Sequence, residues 1–145
     1  MKPNGKHFFW SLLLCTVVVS CTKHAHTNEE IEQAMRNYDS LIVKQDPAAI
    51  AQAFTPNGQF ADVATGRDSI RRLLSRIDKF KVIEQSSVTT NIQIRGDSAL
   101  QTGTYIQRNV DAQKDTAKVM GTYACKWKWI DGEGWKIAHI VSSPF

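Results

Sequence analysis

At 145 residues the chain is long enough to bury the core of one domain, and 42% hydrophobic with 22% charged residues is ordinary for a globular protein. The formal charge of +4 is small, and removing an N-terminal segment with Lys2 and Lys6 leaves 16 basic against 14 acidic residues, or +2. With no Lys/Arg cluster interleaved with aromatics, this balance excludes nucleic acid as a partner class.

Lys2, Lys6 and His7 give the N-terminus a basic start, followed by an apolar run over residues 8–19. That run is too short for a spanning helix and suits the core of a signal peptide. It ends in Val18-Val19-Ser20-Cys21, which resembles the lipobox of bacterial lipoproteins, whose cysteine receives lipid and becomes the mature N-terminus. An ordinary secretory signal that happens to contain a cysteine is the alternative. The expected organisation is a lipoprotein signal peptide over 1–20, a lipidated tether over 21–27 and a folded domain over 28–145. Several acyl chains at about 0.8 kcal/mol per buried methylene would hold Cys21 in a membrane of the cell envelope. Thr22 stands where an aspartate would favour retention in the inner membrane, so the outer membrane is favoured. Cys15 leaves with the signal and Cys21 is acylated, so Cys125 is left without an intrachain partner and reads as a small core residue. His24 and His26 fall in the polar tether and read as unstructured rather than as a metal-binding pair.

Thr27-Asn-Glu-Glu30 has capping-box spacing, and Ile31, Met35, Tyr38 and Ile42, joined by Ala34 and Leu41, recur at helical spacing up to Gln45. Asp46-Pro47 starts a short second helix that runs through Ala53. Phe54-Thr-Pro-Asn-Gly58 breaks it, residues 59–63 read as a short strand, and Thr65-Gly66 turns into a third helix. Ile70, Leu73, Leu74 and Ile77 form its buried stripe, while Arg71, Arg72 and Arg76 face away as a solvated surface.

Alternation then dominates. Residues 81–95 carry Val82, Val88, Ile92 and Ile94 on one side; Gly96-Asp97 is a turn and 99–110 the next strand. Residues 111–115 form a polar loop before 117–130. The last stretch, 121–143, reads as a hairpin. Tyr123, Cys125, Trp127 and Trp129 share one face of its first arm, and Trp135, Ile137, His139 and Val141 one face of the second. The two faces coincide only with an odd loop, which a left-handed Gly134 would provide. Helices followed by a strand meander imply an α+β domain, with the helices packed on one face of the sheet.

Three stretches carry a family resemblance: Tyr38-Asp39 in the first helix, the passage from Ala53-Phe54 through Asp62 to Gly66-Arg-Asp-Ser-Ile70, and the ending from Trp127 to Ser143. In this order they resemble the NTF2-like superfamily, in particular its SnoaL-like group. The resemblance implies a cone in which three N-terminal helices pack on a strongly curved, mainly antiparallel sheet, with a pocket at one end. It places Asp62 near the pocket mouth and His139 inside, though Val141 stands where many such domains carry a second histidine.

On this reading Asp62, His139 and Tyr38 are the candidate catalytic residues, and Tyr105, Tyr123, Trp127 and Trp129 the candidate pocket lining. An aspartate in an apolar cleft could move a proton on a bound carbonyl compound while a tyrosine or histidine donates to the oxyanion. The leading expectation is binding of a small, partly apolar molecule without catalysis, metal or cofactor. The alternatives are an acid–base enzyme of isomerase or hydrolase type that uses Asp62 and His139, and a dimerisation or partner-binding module. A homodimer would use the outer face of the sheet, where Ala138 and Ile140 sit among Lys126, Lys128 and Lys136.

Overall fold

Local chemistry sets the helices in a computed structural model that describes residues 25–77 and 80–145; the apolar run, the lipobox and Cys21 lie outside the described residues. Helix α1 spans Asn28–Lys44, with the Thr27 side chain accepting from the Glu30 amide and Glu29 and Glu30 in the first turn. It stops where Gln45 turns left-handed (φ 52°) and its amide returns to the carbonyls of Leu41 and Ile42. Asp46 caps α2, Pro47–Gln52, by accepting from the amides of Ala48 and Ala49. The third helix, α3, covers Arg67–Leu74 and buries Ile70; Ile77 lies beyond its end and is 42% exposed, so it does not continue the buried stripe.

The stretch expected to break the chain after α2 is instead the start of strand β1, Phe54–Phe60. Burial decides this: the Phe54 ring is fully enclosed, edge-on to Tyr38 and Phe60, and the Ile137 amide donates to the Ala53 carbonyl. The remaining strands are β2 (Ala64–Thr65), β3 (Phe80–Arg95), β4 (Ser98–Asp111), β5 (Thr116–Ile130) and β6 (Gly134–Pro144). They form one six-stranded sheet in the order β2-β1-β6-β5-β4-β3, antiparallel except for the parallel β1–β6 pair. Helix α1 lies against β3, and the core between helices and sheet holds Ile31, Met35, Ile50, Ile70, Cys125 and Ile137. This is the α+β architecture expected from the order of elements.

The hairpin closes as its sequence requires. Trp129 pairs with Trp135 and Ile130 with Gly134, and Gly132 and Gly134 both take φ 79° across the loop. The loop is odd, so the two indoles meet on the inner face, 5.7 Å apart and edge-on.

On β6 and β3, three β-bulges interrupt the alternation, and each inverts the faces beyond it. On β6, Lys126 opposes His139 but Trp127 opposes Ile137, so Ala138 is the extra residue. Ile140 and Ser142 therefore turn inward, opposite Cys125 and Tyr123, while His139 and Val141 face out opposite Lys126 and Ala124. This corrects the inward placement of His139 and Val141 and the placement of Ile140 on the outer face. On β3 the register shifts make Ile83 and Thr90 the extra residues. Between them Gln85, Ser87 and Thr89 face inward, and Val88 is 61% exposed rather than on the side of Val82, Ile92 and Ile94. A strongly bent sheet strains regular pairing, and bulges relieve that strain by bending the strand.

Candidate functional site

The helical stripe of α1 brings one carboxylate inside. Asp39 lies four residues beyond Met35, one turn along the same face, and is 7% exposed. The inverted segment of β3 faces it. Asp39 Oδ2 accepts from the Ser87 amide (2.9 Å), and Oδ1 accepts from Ser87 Oγ (2.8 Å) and Gln85 Nε2 (3.3 Å). Burial pushes the Asp39 carboxyl above its ordinary range, and the hydrogen bonds from Ser87 and Gln85 only partly offset this.

These groups edge a cavity of about 120 Å³. Met35, Tyr38 and Ile42 of α1 form one wall, and Tyr105 and Gln107 of β4 with Tyr123 of β5 form another. Phe60 of β1, Ala61 just beyond it, and Ile140 and Ser142 of β6 close it. Tyr38 is held neutral: burial raises its pKa well above the ordinary phenol value, and the neighbouring Cys125 and Asp39 push the same way.

Two buried polar atoms of this wall, the Tyr123 hydroxyl and Gln85 Oε1, have no hydrogen-bond partner among the described residues. Tyr123 is 6% exposed, and burial raises its pKa although Thr89 beside it would favour the ionised form. Thr89 Oγ1 accepts from Gln101 Nε2 at 2.8 Å and stands beside the Tyr123 hydroxyl without reaching hydrogen-bond geometry with it. Gly103, directly opposite Tyr123, leaves room for its ring: a Cβ there would lie 2.7 Å from Tyr123 Cε1 and 2.1 Å from the Val88 carbonyl. Orphaned buried polar atoms cost on the order of 1–3 kcal/mol each, so their concentration at one cavity calls for an explanation.

Of the residues expected at the site, the cavity gathers Tyr38, Tyr105 and Tyr123. Trp127 is not among them. It is buried in the solid part of the core, where its Nε1 donates to Gln101 Oε1 at 2.9 Å. Trp129 is not among them either. It lies toward the hairpin loop, six residues and roughly 20 Å of strand beyond Tyr123, and its Nε1 donates to Asp131.

There His26, expected in an unstructured tether, packs instead against Trp129 (4.5 Å) and Trp135 (4.7 Å). The Glu30 carboxylate joins this cluster by contacting His26 Nδ1 (2.9 Å) and accepting from Trp135 Nε1 (3.0 Å).

Asp62 and His139 do meet, with Oδ1 2.8 Å from Nε2. Their side chains are 73% and 23% exposed, and neither lines the cavity, although Ala61 does. Ala61 and Asp62 both hold left-handed backbone, φ 47° and 54°, which carries the Asp62 side chain over the sheet edge to the outward-facing His139.

Asp39, Gln85 and Ser87 escaped the reading of the sequence. Asp39 carried a signal, its position on the buried face of α1. Gln85 and Ser87 carried none, since only the bulges turn them inward. Among the described residues, no three His, Cys, Asp or Glu side chains cluster so as to hold a metal ion.

A family model for the SnoaL-like domain matches residues 23–141. Several solved structures share the fold. An NTF2-like superfamily protein from Salmonella enterica serovar Typhimurium is 19% identical over 80% of this chain and 89% of its own, with a TM-score of 0.66. A ketosteroid isomerase-like protein from Erwinia carotovora atroseptica is 17% identical over 82% and 98%, with a TM-score of 0.69. A protein of unknown function from Mycobacterium tuberculosis is 20% identical over 81% and 75%, with a TM-score of 0.71. No curated protein matches the chain. The family model spans most of the sequence, and the helices and bent sheet carry the same architecture: the chain belongs to the SnoaL-like domain family, on the NTF2-like fold.

Proposed function

We propose that the protein is a lipid-anchored binding domain of the bacterial cell envelope that holds a small, partly apolar molecule in the Asp39 cavity. The observation that carries this is the pairing of a buried carboxylate with two unpartnered polar atoms, Tyr123 OH and Gln85 Oε1, at one largely apolar cavity. A few convergent polar groups on an apolar lining are what a small-molecule site needs. Mass spectrometry of the domain released under native conditions should find a bound small molecule, absent from a Tyr123→Phe/Gln85→Leu variant that remains folded. An empty wild-type domain that also takes up nothing from envelope extracts would defeat the reading.

Anchoring rests on Val18-Val19-Ser20-Cys21 after the apolar run, with the outer membrane favoured by Thr22. Cys21→Ala should release the protein from membranes; continued membrane association would refute lipidation. Homodimerisation through the outer face of the sheet belongs to the same proposal: sedimentation equilibrium at micromolar concentration should give twice the chain mass, and a monomer mass would refute it.

Proton-transfer catalysis is the second reading, favoured by the 2.8 Å contact of Asp62 with His139 beside the cavity wall. His139→Ala would then leave binding intact while abolishing turnover of the bound molecule. Unchanged turnover in that variant would remove the pair from catalysis.

A further inference from the structure

The cavity at Asp39 has a neighbour. A second cavity of about 170 Å³ lies between α1, α2, α3 and the start of β3, lined by Ile50, Leu74, Ile77, Phe80 and Val82. Ile42, Phe60 and Gln107 line both cavities, so the two share a partition made mainly of two apolar side chains. Either volume alone is below the roughly 300 Å³ at which small-molecule pockets usually begin, and the two together come close to it. The polarity is divided: one cavity carries Asp39, Gln85, Ser87 and Tyr123, while the other is walled mostly by aliphatic and aromatic groups.

The head-group chemistry follows from the donors and acceptors. With Gln85 Nε2 given to Asp39, Gln85 Oε1 is left as an acceptor, and the Tyr123 hydroxyl can both donate and accept. If Asp39 carries a proton, the Gln85 amide can turn over and present its NH₂ instead. A hydroxyl group satisfies either arrangement, because it donates and accepts. A carboxylate sits beside an ionised Asp39 in the first arrangement, and in the second its charge is buried without a cation, since no Lys, Arg or His among the described residues lines the cavity. An ammonium ion has nothing to accept with and needs Asp39 ionised in a site where burial works against it.

The geometry points to an elongated, uncharged alcohol as the ligand class, its hydroxyl among Asp39, Gln85 and Tyr123 and its hydrocarbon tail passing Phe60 into the cavity of Leu74, Ile77 and Phe80. This rests on the binding reading above and narrows it. The tail accounts for the apolar second cavity, and the head accounts for the two orphaned polar atoms.

The test is a calorimetric titration of the folded domain with 1-butanol, 1-octanol, octanoate and octylamine, together with the Leu74→Trp and Tyr123→Phe/Gln85→Leu variants. Octanol is expected to bind at least tenfold more tightly than octanoate or octylamine. Lengthening the alcohol should tighten binding by up to about fourfold per methylene until the second cavity is filled. Leu74→Trp should abolish the gain from butanol to octanol, and a cooperative melting transition like that of the wild type shows that the variant is folded. Tyr123→Phe/Gln85→Leu should weaken both alcohols at least tenfold.

Preference for octylamine or octanoate overturns the ligand class and leaves the binding reading standing. Chain-length dependence untouched by Leu74→Trp overturns the two-cavity placement. If no probe binds but a co-purified molecule occupies the domain, the class fails alone; if nothing binds and nothing co-purifies, the class and the binding reading fail together.

Discussion

The two ends of the β5–β6 ladder obey the same alternation and finish differently. Toward the hairpin loop, Trp127, Trp129 and Trp135 face inward and the space is solid, closed by His26 and by the Trp127–Gln101–Thr89 chain of hydrogen bonds. Toward the other end, Tyr123, Ile140 and Ser142 face inward and a cavity remains, bordered by Asp39. Ala138 separates them. One extra residue on β6 exchanges His139 and Val141 for Ile140 and Ser142 on the inner face, and the segment of β3 between Ile83 and Thr90 adds Gln85 and Ser87. Hollowness and polarity at one end are thus consequences of where the sheet bends, and Trp127, Trp129 and Trp135 belong to the other end.

Cutting into the solid end should have the largest effect. Trp127→Ala removes a side chain that is 3% exposed and strips Gln101 Oε1 of its donor. A loss of about 3–5 kcal/mol in urea unfolding is expected. A loss below about 1 kcal/mol would mean that this end is not the packed one. Next comes His26→Ala, which gives up two aromatic contacts and the Glu30 contact for about 1–2 kcal/mol, read as a fall in Tm. An unchanged Tm would return residue 26 to the role of a tether.

Asp39→Asn probes the hollow end through pH. The folded carboxyl holds its proton more tightly than the unfolded one, because burial raises its pKa. Its contribution to stability is therefore complete below the ordinary carboxylate range and is lost as pH rises through the raised folded value. Asparagine removes that loss. The variant should match the wild type at low pH, below the ordinary carboxylate range, and exceed it at neutral pH, seen as a flatter dependence of Tm on pH. A steeper dependence would contradict the burial of this group. The smallest effect is expected from His139→Ala, which breaks an exposed contact with Asp62 and should change stability by less than about 0.5 kcal/mol. A larger change would show that the outward pair has a structural task.

Much of the architecture could be read from residue order: the Thr27 cap, the Asp46-Pro47 restart, the odd hairpin loop with left-handed Gly134, and the burial of Cys125. Each depends on neighbours within a few positions. The site was half legible. Tyr38, Tyr105 and Tyr123 could be proposed because a large aromatic residue on an inward face must line either a core or a cavity. Trp127 and Trp129 could be proposed for the same reason and belong to the packed region, since the sequence does not say how much volume α1 and His26 fill above them.

Strand faces beyond a bulge belong to the tertiary structure. A bulge relieves strain in a sheet that must bend around helices, so its position depends on contacts between segments far apart in the chain, such as α1 against β3. Alternation fixes which residues share a face only within an unbroken ladder. By itself the sequence determined the family fold, the helix ends and the aromatic hairpin. Only the folded sheet decided that Asp39, Gln85 and Tyr123 would meet at a cavity and that His139 would turn away from it.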